Sequence, residues 1–229
     1  MINKLFKSPR LLNKDSDKNI KITPLSNYKF TSTMNSISLS TNEIAEAGKH
    51  YPIMFIKNSD GVIPIAILSL KENENNFVNK DGNWNKNRYI PALFRAYPFA
   101  LSKTGDNLSI ALDSGYDGID KKDGKAFFNE DGSNNELGTQ VSKFLQETYG
   151  ALEVTKNLTK IIDDLELFKE VELKVEHNKN NFLLKGVLQI DQEKLNKLDD
   201  KSLLKLTKSG AFNTIYSHLN SMSNITNLF

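Results

Sequence analysis

Residues 50–101 read HYPIMFIKNSDGVIPIAILSLKENENNFVNKDGNWNKNRYIPALFRAYPFAL, and this stretch decides the fold. Ile53, Met54, Phe55 and Ile56 make a strand that is apolar on both faces, which places it inside a sheet. Asn58-Ser59-Asp60-Gly61 is a turn, because glycine accepts the positive φ that a hairpin needs. The return strand, Val62 to Leu70, carries Pro64. Proline has no N–H for the ladder, so it belongs at a sheet edge or a strand start. Phe77-Val78, the turn Asn79-Lys80-Asp81-Gly82 and Asn83-Trp84 read as a second, shorter hairpin. Pro91 suits the first turn of a helix and Pro98 ends it.

Working outward, residues 1–26 show no sustained period and read as a basic, flexible N-terminal arm, with residues 27–229 as a single domain. Ser40 and Thr41 cap a short helix that runs through Gly48, with Glu43 near its positive end. Phe99 to Leu101 and Leu108 to Leu112 form another strand pair. Asp113 to Glu136 is acidic, rich in Gly and Asn, and reads as a long exposed loop. From about Glu136 a helical stretch places Leu137, Val141, Phe144, Leu145, Thr148 and Leu152 on one face and continues through Leu165, with a kink expected near Gly150.

Residues 170–176 alternate apolar and charged, and residues 182–190 supply their hairpin partner, so one face of this pair is wet. The end is helical. Asp191 caps one short helix, Asp199 or Asp200 caps a second, and Gly210 stops it. Phe212, Ile215, Tyr216, Leu219 and Met222 then form a last amphipathic stripe. No internal repeat of fixed period is legible. Antiparallel hairpins packed with a long central helical stretch and C-terminal helices, without βαβ alternation, predict an α+β fold.

Composition narrows the function. The chain has 229 residues, 38% of them hydrophobic, which is enough for a sizeable core. It has no Cys, which excludes disulfides, thiolate metal sites and cysteine nucleophiles, and fits a reducing compartment. No apolar segment follows the basic start as a cleaved signal would require, and the longest apolar run, Val62 to Leu68, is far short of a membrane span. The expected location is therefore cytoplasmic, the alternative being export to the cell surface without a cleaved signal. The net charge is +2, with the first thirty residues at +5 and the remainder at −3. A basic arm can touch anionic partners, but no aromatic interleaving or recognition helix supports specific nucleic-acid reading.

The residues of the opening stretch also resemble a known bacterial family. Tyr51-Pro52-Ile53, Asn76-Phe77-Val78, Asp81-Gly82-Asn83-Trp84, Tyr89-Ile90-Pro91 and Tyr97-Pro98-Phe99 occur in the order found in SapC proteins. Ile190 to Asn196, Ser209-Gly210 and Ile215-Tyr216-Ser217-His218-Leu219 are similar to that family's closing helices. The departures are a longer basic leader and the polar Ser36-Ile37-Ser38-Leu39-Ser40. The resemblance implies a non-catalytic binding or accessory protein of surface-layer or surface-protein biogenesis, with partners in the surface-layer or export machinery. Relatives also occur beside oxidative enzymes, which implies the alternative of a cytoplasmic ligand-binding partner of an oxidative tailoring enzyme. It carries over no catalytic residue. The unrelated peptide-transporter permease of the same name is excluded by the missing spanning segments.

Motif by motif, the bland reading prevails. Gly118 to Lys125 has the wrong glycine spacing for a phosphate loop and is followed by Ala126. Neither register of the acidic loop places calcium ligands correctly. His50, His177 and His218 lie far apart, with His218 read as a boundary or core histidine and His177 as exposed in a turn. No Gly-x-Ser-x-Gly elbow exists, and Asp163-Asp164 and Asp199-Asp200 are adjacent and point apart. No catalytic residue, metal or cofactor is expected.

One feature survives. Of 30 basic side chains three are Arg, and Arg88 and Arg95 fall within eight residues beside Trp84, Tyr89 and Tyr97. A planar guanidinium binds carboxylate or phosphate bidentately and stacks on aromatic rings, which an ammonium does not. In a lysine-biased chain this makes Trp84, Arg88, Tyr89, Arg95 and Tyr97 the candidate site for a small anionic ligand. The competing reading is a structural arginine that bridges to Asp81 or Glu72.

Overall fold

The computed structural model describes residues 5–105 and 107–229. In chain order it begins with strands β1 (Pro9–Leu11), β2 (Lys21–Ile22) and β3 (Ser36–Ser38), then helix α1 (Ile44–Ala47) and strands β4 (Ile53–Asn58) and β5 (Gly61–Ile67). Helix α2 (Ala92–Ala96) precedes β6 (Phe99–Thr104), β7 (Asn107–Asp113) and β8 (Lys125–Ala126). Helix α3 (Glu136–Asp164) leads to β9 (Phe168–His177) and β10 (Asn180–Ile190), and the chain closes with α4 (Gln192–Leu195), α5 (Asp200–Ser209) and α6 (Ala211–Ser221). The architecture is α+β with antiparallel sheets, as the patterning predicts. Among the described residues no helix is long and apolar enough to cross a membrane.

Contacts divide the chain into two compact units. The first combines the described residues up to Tyr28 with Ala92–Gly150; the second combines Lys29–Pro91 with Ala151–Phe229. In the second unit the sheet order is β3-β5-β4-β10-β9. The apolar strand β4 is central, as its two-faced hydrophobicity requires. Its hairpin with β5 closes at Asn58 opposite Gly61, whose φ of 111° shows why glycine stands there. Phe55, Val62, Ile162, Leu167, Ile190, Leu206 and Ile215 form the core of this unit. Of the expected stripe Ile215 is buried, but Tyr216 is 52% exposed, and His218 joins Ile215 on the inner face.

Pro64 departs from expectation in an instructive way. It lies inside β5, opposite Phe55. Ile67 N–H donates to Pro52 O (2.9 Å), so by alternation Pro64 turns its backbone away from β4. Its carbonyl accepts from Leu39 N–H (2.9 Å), and the pairing of β3 stops at that point. The proline therefore sits mid-strand at no cost to the central ladder and ends the neighbour instead.

In the first unit β1, β7 and β6 form one sheet, and β2 pairs with β8. Residues 1–26 were expected to be a basic, flexible arm. Its first four residues lie outside the described residues, but Pro9–Leu11 pairs with β7, and Ile20 and Ile22 are buried beside Phe99, Leu112, Phe127 and Leu145. These strands are too short to show a period of their own, and their partners lie about a hundred residues on. The acidic stretch likewise holds β8 and the buried Phe127. Helix α3 runs unbroken through Gly150.

The two units repeat one topology. Every pairing among β3, β4 and β5 recurs among β1, β6 and β7, with the hairpin shifted 46 positions (Tyr51 to Tyr97, Ile67 to Asp113). Ser36↔Ile67 becomes Pro9↔Asp113, and Ile53↔Ala66 becomes Phe99↔Leu112. The flanking bonds recur too. Leu39 N to Pro64 O matches Leu12 N to Ile110 O (2.8 Å), Ile67 N to Pro52 O matches Asp113 N to Pro98 O (2.9 Å), and Leu68 N to Asn35 O matches Ser114 N to Ser8 O (2.9 Å).

Phe77 to Asn85 and Phe127 to Asn135 then form the same closed turn. Each has a single bridge (Val78↔Trp84, Phe128↔Asn134), a glycine at positive φ (Gly82, Gly132) and a buried leading phenylalanine. The expected second hairpin is thus a one-bridge turn, used twice. Here the shift is 50 positions, Phe77 to Phe127. The change of shift between hairpin and turn is why no fixed period is visible in the sequence.

Candidate functional site

The five candidate residues fall into the two units, three in one and two in the other. In the second unit, Trp84 Nε1–H donates to Tyr51 Oη (3.3 Å), and Tyr51 Oη–H donates to the carbonyl of Tyr89. Tyr89 Oη–H donates in turn to Glu43 Oε2 (2.9 Å). Phe77 stands edge-on to Tyr51, centroids 4.7 Å apart, and nearly parallel to Trp84 at 6.4 Å. Glu43 is 5% exposed, and its Oε1 accepts from Ser40 N–H (3.0 Å) and Ser40 Oγ–H (3.3 Å). This is the return half of a capping box at the start of the α1 turn, which Ser40-x-x-Glu43 spells in sequence.

Burial pushes the Tyr51 phenol well above its ordinary range, so it stays a donor. Arg88 is half-buried, and its charge lies close enough to join burial in holding His50 below the ordinary histidine value. Among the described residues no ion pair joins Arg88 to Asp81 or Glu72. Trp84 thus ties the Phe77–Asn85 turn to Tyr51 just ahead of β4, and Tyr89 ties the loop that follows to Glu43 just ahead of α1.

In the first unit, Arg95 projects from α2 with its guanidinium carbon 5.2 Å from the centre of the Phe144 ring. It is exposed, and it borders a groove of about 260 Å³. Pro98, Phe99, Leu137, Val141 and Phe144 supply the apolar wall, and Gln140 and Thr23 its polar margin. Tyr97 lines the same groove, but its hydroxyl is held elsewhere, donating to Asp113 Oδ2 (3.0 Å). Burial first, then the neighbouring carboxylate, pushes the Tyr97 phenol up.

Asp113, which sequence reading took as the start of a loop, is fully buried. It also accepts from Lys7 N (3.0 Å), Ser8 N (2.8 Å) and Gly115 N (3.0 Å). Burial raises its pKa, but these donors outweigh it and hold the carboxyl below the usual range. No sequence signal marks it, because three of its four donors are backbone groups.

His218 is a core histidine, 1% exposed. Its Nδ1–H donates to Ile53 O (2.6 Å) and its Nε2 accepts from Ile190 N–H (3.2 Å), which fixes the neutral tautomer. Burial holds its pKa below the ordinary value. His177 is partly buried and stacked on Phe229 at 4.0 Å, not free in a turn. Beside it lies a second cavity of about 300 Å³, whose charged residues Lys71 and Glu74 pair with each other at 3.3 Å. Among the described residues no group of three or more His, Cys, Asp or Glu gathers as a metal ion would need.

The deeply buried ionisable groups Glu43, Asp113 and His218 are thus all hydrogen-bonded as braces of the backbone. The first unit's groove sets an arginine beside an apolar wall. No curated protein and no solved structure matches the chain. Compared with protein families, it matches SapC over residues 12–228, nearly its whole length. The order of motifs and this match agree: the chain belongs to the SapC family.

Proposed function

We propose that this chain is a non-catalytic binding protein that serves bacterial surface-layer or surface-protein biogenesis from the cytoplasm, with its partners in the surface-layer or export machinery. What it binds enters the groove of the first unit with a carboxylate at Arg95 and an apolar body against Phe99, Val141 and Phe144. The observation that carries the reading is Arg95 itself, an exposed residue whose guanidinium is set over an aromatic ring beside an apolar groove. A guanidinium is the side chain whose planar fork matches a carboxylate and which also packs on an aromatic face. The buried carboxylates and imidazole support binding over chemistry, since their hydrogen bonds are already taken within the fold by backbone groups and by Ser40, Tyr89 and Tyr97.

The modest size of the groove favours a second reading, in which the anion is a small molecule handled for an oxidative tailoring enzyme. Thermal-shift measurements test both with octanoate, 3-phenylpropionate and a tripeptide ending in Phe with a free carboxylate. 1-Octanol and the tripeptide amide serve as uncharged controls. The carboxylates raise the melting temperature of the wild type and not of Arg95→Lys. Preference for the tripeptide supports the first reading and preference for the small acids the second. Equal silence of acids and controls overturns both.

A further inference from the structure

We infer that the edge of β6 that no described strand pairs with is a docking site for an extended segment of a partner polypeptide, which pairs antiparallel with it as β10 pairs with β4. The inference goes beyond the reading above and does not need a carboxylate at Arg95.

The starting point is the repeated topology. In β4, Pro52 O accepts from Ile67 N–H, so Ile53, Phe55 and Lys57 turn their N–H and C=O groups away from β5. The chain covers that side itself. Strand β10 arrives antiparallel with Leu188 opposite Phe55. Ile53 N–H is taken by Ser221 Oγ (2.9 Å), and Ile53 O by His218 Nδ1–H.

In β6, Pro98 O accepts from Asp113 N–H, so by the same alternation Phe99, Leu101 and Lys103 turn their backbone groups away from β7. Phe99 stands where Ile53 does, and Leu101 where Phe55 does. Among the described residues the first unit has no counterpart of β10. Its sheet order is β1-β7-β6, and among the described residues no strand lies beyond β6.

An edge of this kind invites pairing unless charge, proline, a bulge or a covering element blunts it; along β6 Phe99 is buried, Leu101 half-buried and Lys103 exposed. Lys103 is the one charge on β6, and neither proline nor bulge interrupts Phe99–Thr104. The apolar groove opens at its Phe99 end. The occupant this arrangement fits is a strand like β10. Its main chain supplies the ladder, and its alternate apolar side chains lie over Leu101 and toward the groove.

The probe is a fluorescein-labelled synthetic copy of residues 180–190, the sequence that already pairs with the equivalent strand. Anisotropy with the full chain gives saturable binding, and bound peptide slows amide exchange at Phe99, Leu101 and Lys103. Leu101→Pro removes one outward donor without touching the ladder to β7, and weakens binding by about tenfold or more. Should that variant melt early, a peptide N-methylated at the position of Leu188 serves instead. It loses binding, while one methylated at the position of Val187 keeps it.

Absence of saturable binding, or binding indifferent to both changes, overturns the inference. Concentration-dependent dimerisation that Leu101→Pro abolishes also overturns it, by assigning the edge to a second copy of the chain. Neither outcome alters the carboxylate response at Arg95, so the two readings fail separately.

Discussion

Replacing Asp113 by Asn isolates what holds the N-terminal segment in the first unit. The carboxylate accepts four hydrogen bonds, Ser8 N and Gly115 N at Oδ1, Lys7 N and Tyr97 Oη at Oδ2, from a fully buried position. An asparagine oriented to keep the first pair turns its NH2 toward the second. The Tyr97 hydroxyl can rotate and accept, but the Lys7 N–H then faces another donor. The loss is one charge-assisted bond plus one unsatisfied buried amide, together about 3 kcal/mol. In a chain of this size each kcal/mol lowers the melting temperature by roughly 2–4 °C, so the shift is roughly 6–12 °C in the transition that reports the first unit.

The sign of the pH effect adds a second readout. Because the folded-state pKa of Asp113 is lowered, its contribution is fully present above the unfolded value and is lost as pH falls through and below about 4. Asparagine carries no such term, so the gap between wild type and variant narrows toward acid. Calorimetry from neutral to acid pH, with amide exchange at Lys7 and Ser8, measures both. A shift below about 1 °C, or Lys7 and Ser8 amides as protected as in wild type, would refute the reasoning.

Other consequences of the packing can be measured independently. His218 and His50 both have folded pKa values below the ordinary one, so stability rises with pH through their range. Urea midpoints should fall between pH 7.5 and pH 5.5, and His218→Gln should flatten that fall without removing the share from His50. A slope unchanged in His218→Gln contradicts the neutral bridging role. Phe77→Ala and Phe127→Ala remove the buried anchors of the two equivalent turns, and each should cost about 3–5 kcal/mol by denaturant unfolding. If only one is costly, the two turns are not energetic equivalents.

Parts of this structure were legible in the residues, and the reasons differ by element. The two-faced apolarity of Ile53 to Ile56 announced an interior strand, and Gly61 its turn. Asp191, Asp199 and Gly210 announced caps that the structure forms: Asp191 accepts from Glu193 N and Lys194 N, and Asp199 from Ser202 N. These are local signals with local causes. Residues 9–11 and 21–22 gave none, because a strand of two or three residues takes its identity from partners elsewhere in the chain.

Pro64 misled because the rule concerns the side of the strand its nitrogen faces, not its place in the sheet order. The cluster of Trp84, Arg88, Tyr89, Arg95 and Tyr97 was found by composition, yet its members are sorted by contacts that composition does not contain. Trp84 and Tyr89 serve a hydrogen-bonded chain to Glu43, Tyr97 serves Asp113, and Arg95 borders a groove to which α3 adds part of the apolar wall. Asp113 itself looked like loop polarity, since a carboxylate bound by backbone amides leaves no pattern in side-chain types.

The most direct measurement of the binding claim is an NMR titration of the uniformly ¹⁵N-labelled chain with octanoate, followed at the Arg95 Nε–H and at the backbone amides of Phe99, Val141 and Phe144. The account predicts saturable shifts confined to that groove, lost in Arg95→Lys and absent with 1-octanol. Shifts spread over the surface, or an equal response to the alcohol, would contradict it.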